Sequence, residues 1–238
     1  MKNNHTVKRA IIMAAGIGKR MQPLTFHTPK PLIKVNGIRI IDTIVNSLKK
    51  NKINEIYVVI GYHKEQFYNW AKDIPNIHLI ENPYYNTCNN ISSLYMAREF
   101  IEDCIIIDGD QIIYNPSILE PTFSLSGYNA IWCNNKTNEW LMDIKNGIVK
   151  KCYRNGGSSG WQLYSISRWT TDDGKKLKKH LEIEFESGNT QIYWDDIVMF
   201  NHFSEYTLGI KEMKKNDIIE IDTLTELIQI DNSYKNIT

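Results

Sequence analysis

The stretch IIMAAGIGKRMQPLTFHTPKPLI, Ile11 to Ile33, decides the fold. It opens with a continuous apolar run, the pattern of a central parallel strand buried on both faces. It then turns through Gly16 and Gly18 and sets Lys19, Arg20 and Lys30 around prolines. A loop that only connects elements has no use for so much positive charge. Glycine lets backbone N–H groups come close to a ligand. An arginine and a lysine placed just after can neutralise phosphate oxygens, one by a two-pronged contact and the other as a point charge. The stretch therefore suits a polyphosphate. A tight turn with solvated lysines is the plain alternative for the two glycines taken alone. A dinucleotide fingerprint is disfavoured, because Met21 stands where the third glycine of G-x-G-x-x-G belongs. A Walker loop is excluded by the missing G-K-[ST].

Outward from this loop, the first half of the chain alternates strand and helix. Apolar spacing at Ile41, Ile44, Val45 and Leu48 predicts a helix over IRIIDTIVNSLKKN. Strand EIYVVIG, helix KEQFYNWAKD, strand IHLIE, helix ISSLYMAREFI and strand CIIIDGD follow. Strands separated by helices of this length imply βαβ units and a parallel sheet. After about Tyr114 the rhythm changes. NAIWCN, EWLMDI, GIVKKCY and WQLYSIS read as strands, TTDDGKKLKKHLEIEFES and YWDDIVMFNHF as helices, then DIIEID as a strand and TLTELIQI as a closing helix. The expected fold is α/β, a Rossmann-like mixed, mainly parallel sheet flanked by helices. One domain over 1–238 is the economical division, with a first half at about 8–113 and a second half at about 114–238 that forms the wall of a pocket.

Bulk properties narrow the class. The 238 residues are 42% apolar and 23% charged, ordinary for a globular protein. A formal charge of +1 argues against nucleic acid as a partner. No apolar run is long enough to span a bilayer, and Ala10 to Ala15 is too short for a signal-peptide core, so a cytoplasmic protein without membrane insertion is expected. Cys88, Cys104, Cys133 and Cys152 lie far apart and read as reduced thiols, mostly packing residues. His5, His27, His63, His78, His180 and His202 form no local metal or triad spacing and read as surface or structural.

Acidic residues supply the other half of a site. CIIIDGD ends an apolar strand with Asp108 and Asp110, whose spacing sends both side chains to one side at the carboxyl end, where open α/β sheets bind ligands. A solvated turn is the alternative there. DIIEID offers Glu220 and Asp222, again two apart and on one face of an extended segment. Oxygen-only ligands at this count suit Mg²⁺.

The glycine stretch resembles the signature of the nucleotidyltransferases that make nucleoside-diphosphate sugars and alcohols, A-A-G-x-G-[ST]-R-[LM]-x-P-L-T followed by P-K-P-[LM]. The matches are Ala14, Ala15, Gly16, Gly18, Arg20, Met21, Pro23, Leu24, Thr25, Pro29, Lys30, Pro31 and Leu32; Lys19 departs from the usual Ser or Thr. The resemblance implies the nucleotide-diphospho-sugar transferase type of fold. It places the nucleotide over Ala14, Ala15, Gly16, Ile17, Gly18 and Lys19, with Arg20 and Lys30 as the catalytic cations. It also puts Asp108 beside the nucleotide and Mg²⁺ on Asp110, with Asp222 and Glu220 as the late acidic pair.

Further segments are similar to the bacterial choline-phosphate cytidylyltransferases: Asn89, Asn90, Ser93, Leu94 and Tyr95; Thr137, Asn138, Glu139 and Trp140; Tyr193 to Asp196; Ile219 to Asp222. RNGGSSGWQ is the stretch least alike. The implied partners are CTP and phosphocholine, giving CDP-choline and pyrophosphate by Mg²⁺-dependent in-line attack. CMP transfer to 2-aminoethylphosphonate, or nucleotidyl transfer to a sugar 1-phosphate, is the alternative. A quaternary ammonium donates no hydrogen bond and is held by aromatic faces with a carboxylate nearby. Trp140, Tyr193 and Trp194 beside Glu139 and Asp195 offer that mixture, although aromatic residues also build cores. Asn89 and Asn90 open a helix, where one serves as an N-cap and the other is free to meet the edge of the base.

Overall fold

The computed structural model describes residues 4–236; positions 1–3 and 237–238 of the expected 1–238 span lie outside the described residues. Its frame is a nine-stranded sheet. In chain order the strands are β1 Arg9–Met13, β2 Glu55–Ile60, β3 Ile77–Glu81, β4 Cys104–Asp108, β5 Gly127–Cys133, β6 Leu141–Lys145, β7 Ile148–Tyr153, β8 Gly160–Trp169 and β9 Gly209–Glu212. Spatially the order is β5-β9-β7-β6-β8-β4-β1-β2-β3, and β5 pairs again with β8. The block β4-β1-β2-β3 is all parallel, as the alternating first half predicts. β8 then runs antiparallel to β4, and the strands beyond it return on themselves.

Burial follows the pattern of the sequence. Ile11 and Ile12 on β1, and Ile105, Ile106 and Ile107 on β4, are fully buried because helices or loops cover both faces of these central strands. Helix α1 Ile40–Lys50 packs Ile41, Ile44, Val45 and Leu48 on one face, joined there by Phe67 and Trp70 of α2 Lys64–Ala71. On the other face, α3 Ile91–Met96 and α4 Thr171–Glu186 cover a cluster that includes Ile11, Ile106, Trp169 and Leu181.

The larger differences from the sequence expectation are these. Residues 38–39 belong to a hairpin with 34–35, so α1 begins at Ile40. Helix α3 ends at Met96 and gives way to a 3₁₀ turn over Arg98–Phe100. The segment expected as one helix from Tyr193 is a single turn, α5 Trp194–Asp196, that widens into a π turn over Ile197–Asn201. Strand β9 has no counterpart in the expectation, since Gly209 to Glu212 is short and alternates only weakly.

The π turn is pinned at its far end. The rings of His180 and His202 stack at 3.9 Å and 9°. His202 Nε2 sits 2.9 Å from Glu184 Oε1, and His180 Nδ1 2.7 Å from the Tyr206 hydroxyl. Glu205 completes a group whose ligand atoms lie within 4.8 Å of one another. Parallel rings aim their in-plane lone pairs side by side rather than at a common point, so these histidines pack and hold protons, as the structural reading of them expects.

Candidate active site

At the carboxyl ends of β1 and β4 the chain folds over itself. Gly109 N–H donates to Met13 C=O at 2.9 Å, and a Cβ on Gly109 would meet that oxygen at 2.9 Å and Pro31 at 3.2 Å. The Asp-Gly-Asp turn can therefore pass beneath the glycine loop only with glycine in its middle. The loop has its own anchor: Gly18 adopts φ +67° and its carbonyl accepts from Thr25 Oγ1 at 2.9 Å. Ala14 and Ala15 are buried, Gly16 is open, and a Cβ on Gly16 would meet nothing within 4 Å. Ile17 is half-buried and Lys19 exposed, both lining the loop side of the cleft.

The structure gathers the predicted cations and the predicted carboxylates at one point. Lys30, buried in a 3₁₀ turn, places Nζ 2.7 Å from Asp110 Oδ2 and 3.0 Å from Asp222 Oδ1. Arg20 Nη2 lies 2.8 Å from the same Asp222 oxygen. Asp222 arrives on the segment after Ile218–Glu220, which pairs with Gln111–Ile113 in the register Glu220↔Gln111. Carboxylate oxygens of Asp110, Glu220 and Asp222 all lie within 4.8 Å of one another.

Their electrostatics follow from crowding. Burial, joined by the charges of Asp110, Asp222 and Asp108, holds the Glu220 carboxyl well above the usual range. Asp108, on the floor of the cleft, is raised likewise by burial and by Asp110 and Asp195. Burial alone would lower Lys30, but Asp110 and Asp222 outweigh it and the ammonium is held above its ordinary value. Asp110 Oδ1 is buried without a hydrogen-bond partner. Three carboxylates, one with an oxygen unspent, form an all-oxygen donor set of the kind a magnesium ion takes together with substrate phosphates and water.

From this point a cleft of about 480 Å³ opens toward the second half, and a second lobe of about 560 Å³ runs beneath the glycine loop. Asn89 and Asn90 line the cleft at the start of α3. Neither side chain caps that helix, contrary to expectation: Asn89 Oδ1 accepts from the Asn90 N–H at 2.7 Å, and Asn90 Oδ1 accepts from the Trp194 N–H at 2.9 Å. The Asn90 contact reaches across to α5 and ties the two walls together.

Trp140, Tyr193, Glu139 and Asp195 line the cleft as well. The Trp140 and Tyr193 rings stand edge to face at 6.1 Å and 89°. Burial, with the charge of Asp196, pushes the Asp195 carboxyl up to about 7 against the opposing pull of the Tyr128 hydroxyl beside it. Trp194 corrects an expectation. It is fully buried, stacked on Tyr128 at 5.9 Å and edge to face with Trp169 at 6.1 Å, and it does not reach the cleft. On the one-turn helix α5, neighbouring residues point in different directions, so Trp194 goes to the core while Tyr193 and Asp195 go to the wall.

Sequence reasoning missed Tyr85, Asn82 and Ser165 on the cleft wall. Asn82 Nδ2 donates to Ser92 and Ser93 hydroxyls at 3.0 Å each, and a Cβ on Gly61 would lie 2.7 Å from the Tyr85 ring. Asn82 and Tyr85 follow the carboxyl end of β3, and that position was the available signal.

Comparison with known proteins identifies the family. A family model described as Nucleotidyl transferase matches residues 9–121. A 2-aminoethylphosphonate cytidylyltransferase of Lancefieldella rimae is 37% identical over 235 residues, covering 98% of this chain and 95% of the relative. A choline-phosphate cytidylyltransferase of Streptococcus pneumoniae is 30% identical over 229 residues, covering 96% and 99%. The solved structure of the CTP:phosphocholine cytidylyltransferase from Streptococcus pneumoniae superposes with a TM-score of 0.86 at 29% identity, covering 96% of this chain and 99% of that one. No described helix is long and apolar enough to cross a membrane.

Proposed function

We propose, for a chain that belongs to the cytidylyltransferases of the nucleotidyl transferase family, that it transfers CMP from CTP to a small cationic phosphorus acid, 2-aminoethylphosphonate ahead of phosphocholine. The observation that carries the transfer chemistry is the meeting of Lys30 with Asp110 and Asp222 beneath a glycine loop. The observation that favours a primary ammonium is Asp195, a buried carboxyl on the cleft wall beside the Tyr128 hydroxyl. A primary ammonium has three N–H donors to offer it; a trimethylammonium has none. With Trp194 in the core, the aromatic lining of the cleft is Trp140, Tyr193 and Tyr85 rather than the Trp140, Tyr193 and Trp194 the sequence suggests. The phosphocholine reading is favoured by the Trp140 and Tyr193 rings, which stand at right angles as two sides of a cage.

In this mechanism CTP lies over Ala14 to Gly18, where Gly16 leaves room for the backbone to touch phosphate. Arg20, with a side chain 69% exposed, swings from Asp222 to the phosphates, and Lys30 stays between the carboxylates to balance their charge. Magnesium, held by Asp110, Asp222 and Glu220, would neutralise phosphate charge and fix the two reactants relative to each other. The acceptor enters from the Trp140 side. One of its phosphorus-acid oxygens forms a bond to the α-phosphorus in line with the departing bridge oxygen, whose bond to that phosphorus breaks as pyrophosphate leaves. The acceptor is already an anion, so no general base is needed, and positioning with charge neutralisation carries the rate.

Pyrophosphate release from CTP and Mg²⁺ with each acceptor, and phosphorus NMR of the product, test this directly. Release with 2-aminoethylphosphonate at a higher kcat/KM than with phosphocholine is expected. The reverse order restores the choline reading, and release with neither acceptor overturns both.

A further inference from the structure

Arg154 opens RNGGSSGWQ, the stretch least like the resembled family, immediately after β7. Its guanidinium carbon lies 5.2 Å from the centroid of the Trp140 ring and 4.3 Å from that of Phe200. Its Nη1 lies 2.6 Å from Asp196 Oδ1, a charge contact rather than an aligned hydrogen bond. Asp196 is buried, and its Oδ2 accepts from the Tyr193 N–H at 2.9 Å. Arg154 thus reaches two aromatic residues of the cleft wall, Trp140 directly and Tyr193 through Asp196, without itself lining the cleft.

We infer that Arg154 is a specificity-determining residue for the cationic end of the acceptor: it loads the Trp140 ring with the protein's own cation and so turns the cleft toward an acceptor that can donate N–H bonds. The inference rests on the reading above that the acceptor carries a cation. An aromatic ring attracts a cation through its quadrupole. A ring already carrying a guanidinium draws a second cation less, because the two positive charges repel across it. A trimethylammonium depends on that attraction, having no donor to use elsewhere. A primary ammonium has the carboxylates of Asp195 and Glu139 on the same wall. The buried Asp196 keeps Arg154 in place, so the charge on Trp140 is a built feature rather than a passing contact.

The test compares kcat/KM for 2-aminoethylphosphonate and phosphocholine in the wild type and in the double variant Arg154→Met/Asp196→Asn. Methionine keeps an unbranched stem over the rings, and asparagine avoids a stranded carboxylate. The ratio should move about tenfold toward phosphocholine, mainly through its KM, with the KM for CTP unchanged. Arg154→Lys, which restores the charge, should bring the ratio back toward wild type. If the double variant does not fold, Arg154→Gln takes its place. A ratio within twofold of wild type in a folded variant, or an equal loss with both acceptors and CTP, overturns the inference. Should the wild type use neither acceptor, the functional reading fails; calorimetric titration with tetramethylammonium against ethylammonium then judges Arg154, the same tenfold change supporting it and no change overturning it.

Discussion

Lys30 Nζ lies 2.7 Å from Asp110 Oδ2, although eighty positions separate them in the chain. The two residues sit on opposite sides of the Gly109 crossing, and Lys30 also bonds Asp222. A single ammonium therefore holds together two carboxylates that would otherwise repel. Lys30→Ala and Asp110→Ala should each lower CMP transfer by at least about a hundredfold, the order expected when fixed charge is removed from a developing anion. Circular dichroism should still report a folded protein, melting about 1–3 kcal/mol less stable for Lys30→Ala because two partly buried carboxylates are left facing each other. Turnover that persists in either variant would break the scheme.

Magnesium should raise the melting temperature of the wild type by several degrees at saturation, since an ion that binds only the folded chain stabilises by mass action, about 2.7 kcal/mol at a hundred times Kd. Asp222→Asn and Glu220→Gln should each abolish most of that shift, as both residues belong to the all-oxygen group with Asp110. Differential scanning calorimetry with and without the ion reads the difference. An undiminished shift in both variants would place the ion elsewhere.

Gly16 and Gly18 should respond differently to alanine. A Cβ on Gly16 enters open cleft, so Gly16→Ala should melt like the wild type while the KM for CTP rises about tenfold. Gly18 holds φ +67° with Thr25 Cγ2 at 3.0 Å from a built Cβ, so Gly18→Ala should cost about 1–2 kcal/mol of stability. Denaturant titrations beside CTP kinetics separate the two effects.

The two tryptophans named for the acceptor wall should part company. Trp194→Ala removes a fully buried ring and should destabilise by about 3–5 kcal/mol. Trp140→Ala should cost far less stability and instead change the KM for the acceptor. Equal losses of stability would contradict the placement of Trp194 in the core.

Acid should weaken the fold through His180. Burial, and then the charge of His202, hold its pKa below the usual 6.5, against the opposing pull of Glu205. Between the folded value and about 6.5 the unfolded chain binds more protons, so this contribution is whole above about pH 6.5 and is lost as pH falls through that window. Asp195, raised to about 7, and Asp108 and Glu220 add stability as pH falls and oppose this loss. The reading is therefore a difference between chains: the change in melting temperature from pH 7.5 to 5.5 should be less unfavourable in His180→Gln than in the wild type. An identical change in that variant would assign the effect to other groups.

The parallel half of the sheet and the meeting of loop cations with late carboxylates were legible because each is written locally. An apolar run reports a central strand, and Asp108-x-Asp110 or Glu220-x-Asp222 reports a shared face. What lay beyond reach depended on distance. Nothing beside Trp194 in the chain says that Tyr128 and Trp169 will enclose it. Strand β9 is a strand because β5 lies alongside it, in the register Gly127↔Gly209, rather than because of its own residues. Asn89 and Asn90 look like capping residues from sequence, but the Asn89 amide is taken up by the Asn90 N–H and the Gln191 carbonyl, and the Asn90 amide by the turn at Trp194.

The π turn at Ile197–Asn201 follows directly on Tyr193 and Asp195, and its His202 N–H closes back onto Ile197 C=O at 2.8 Å. Such a turn holds one residue more than an ordinary helical turn. Deleting a single residue there would restore regular winding and leave the segments on either side in nearly their present register, because the wider turn already absorbs the extra residue. The chain beside the acceptor wall can thus gain or lose one residue while the wall and the histidine stack keep their places.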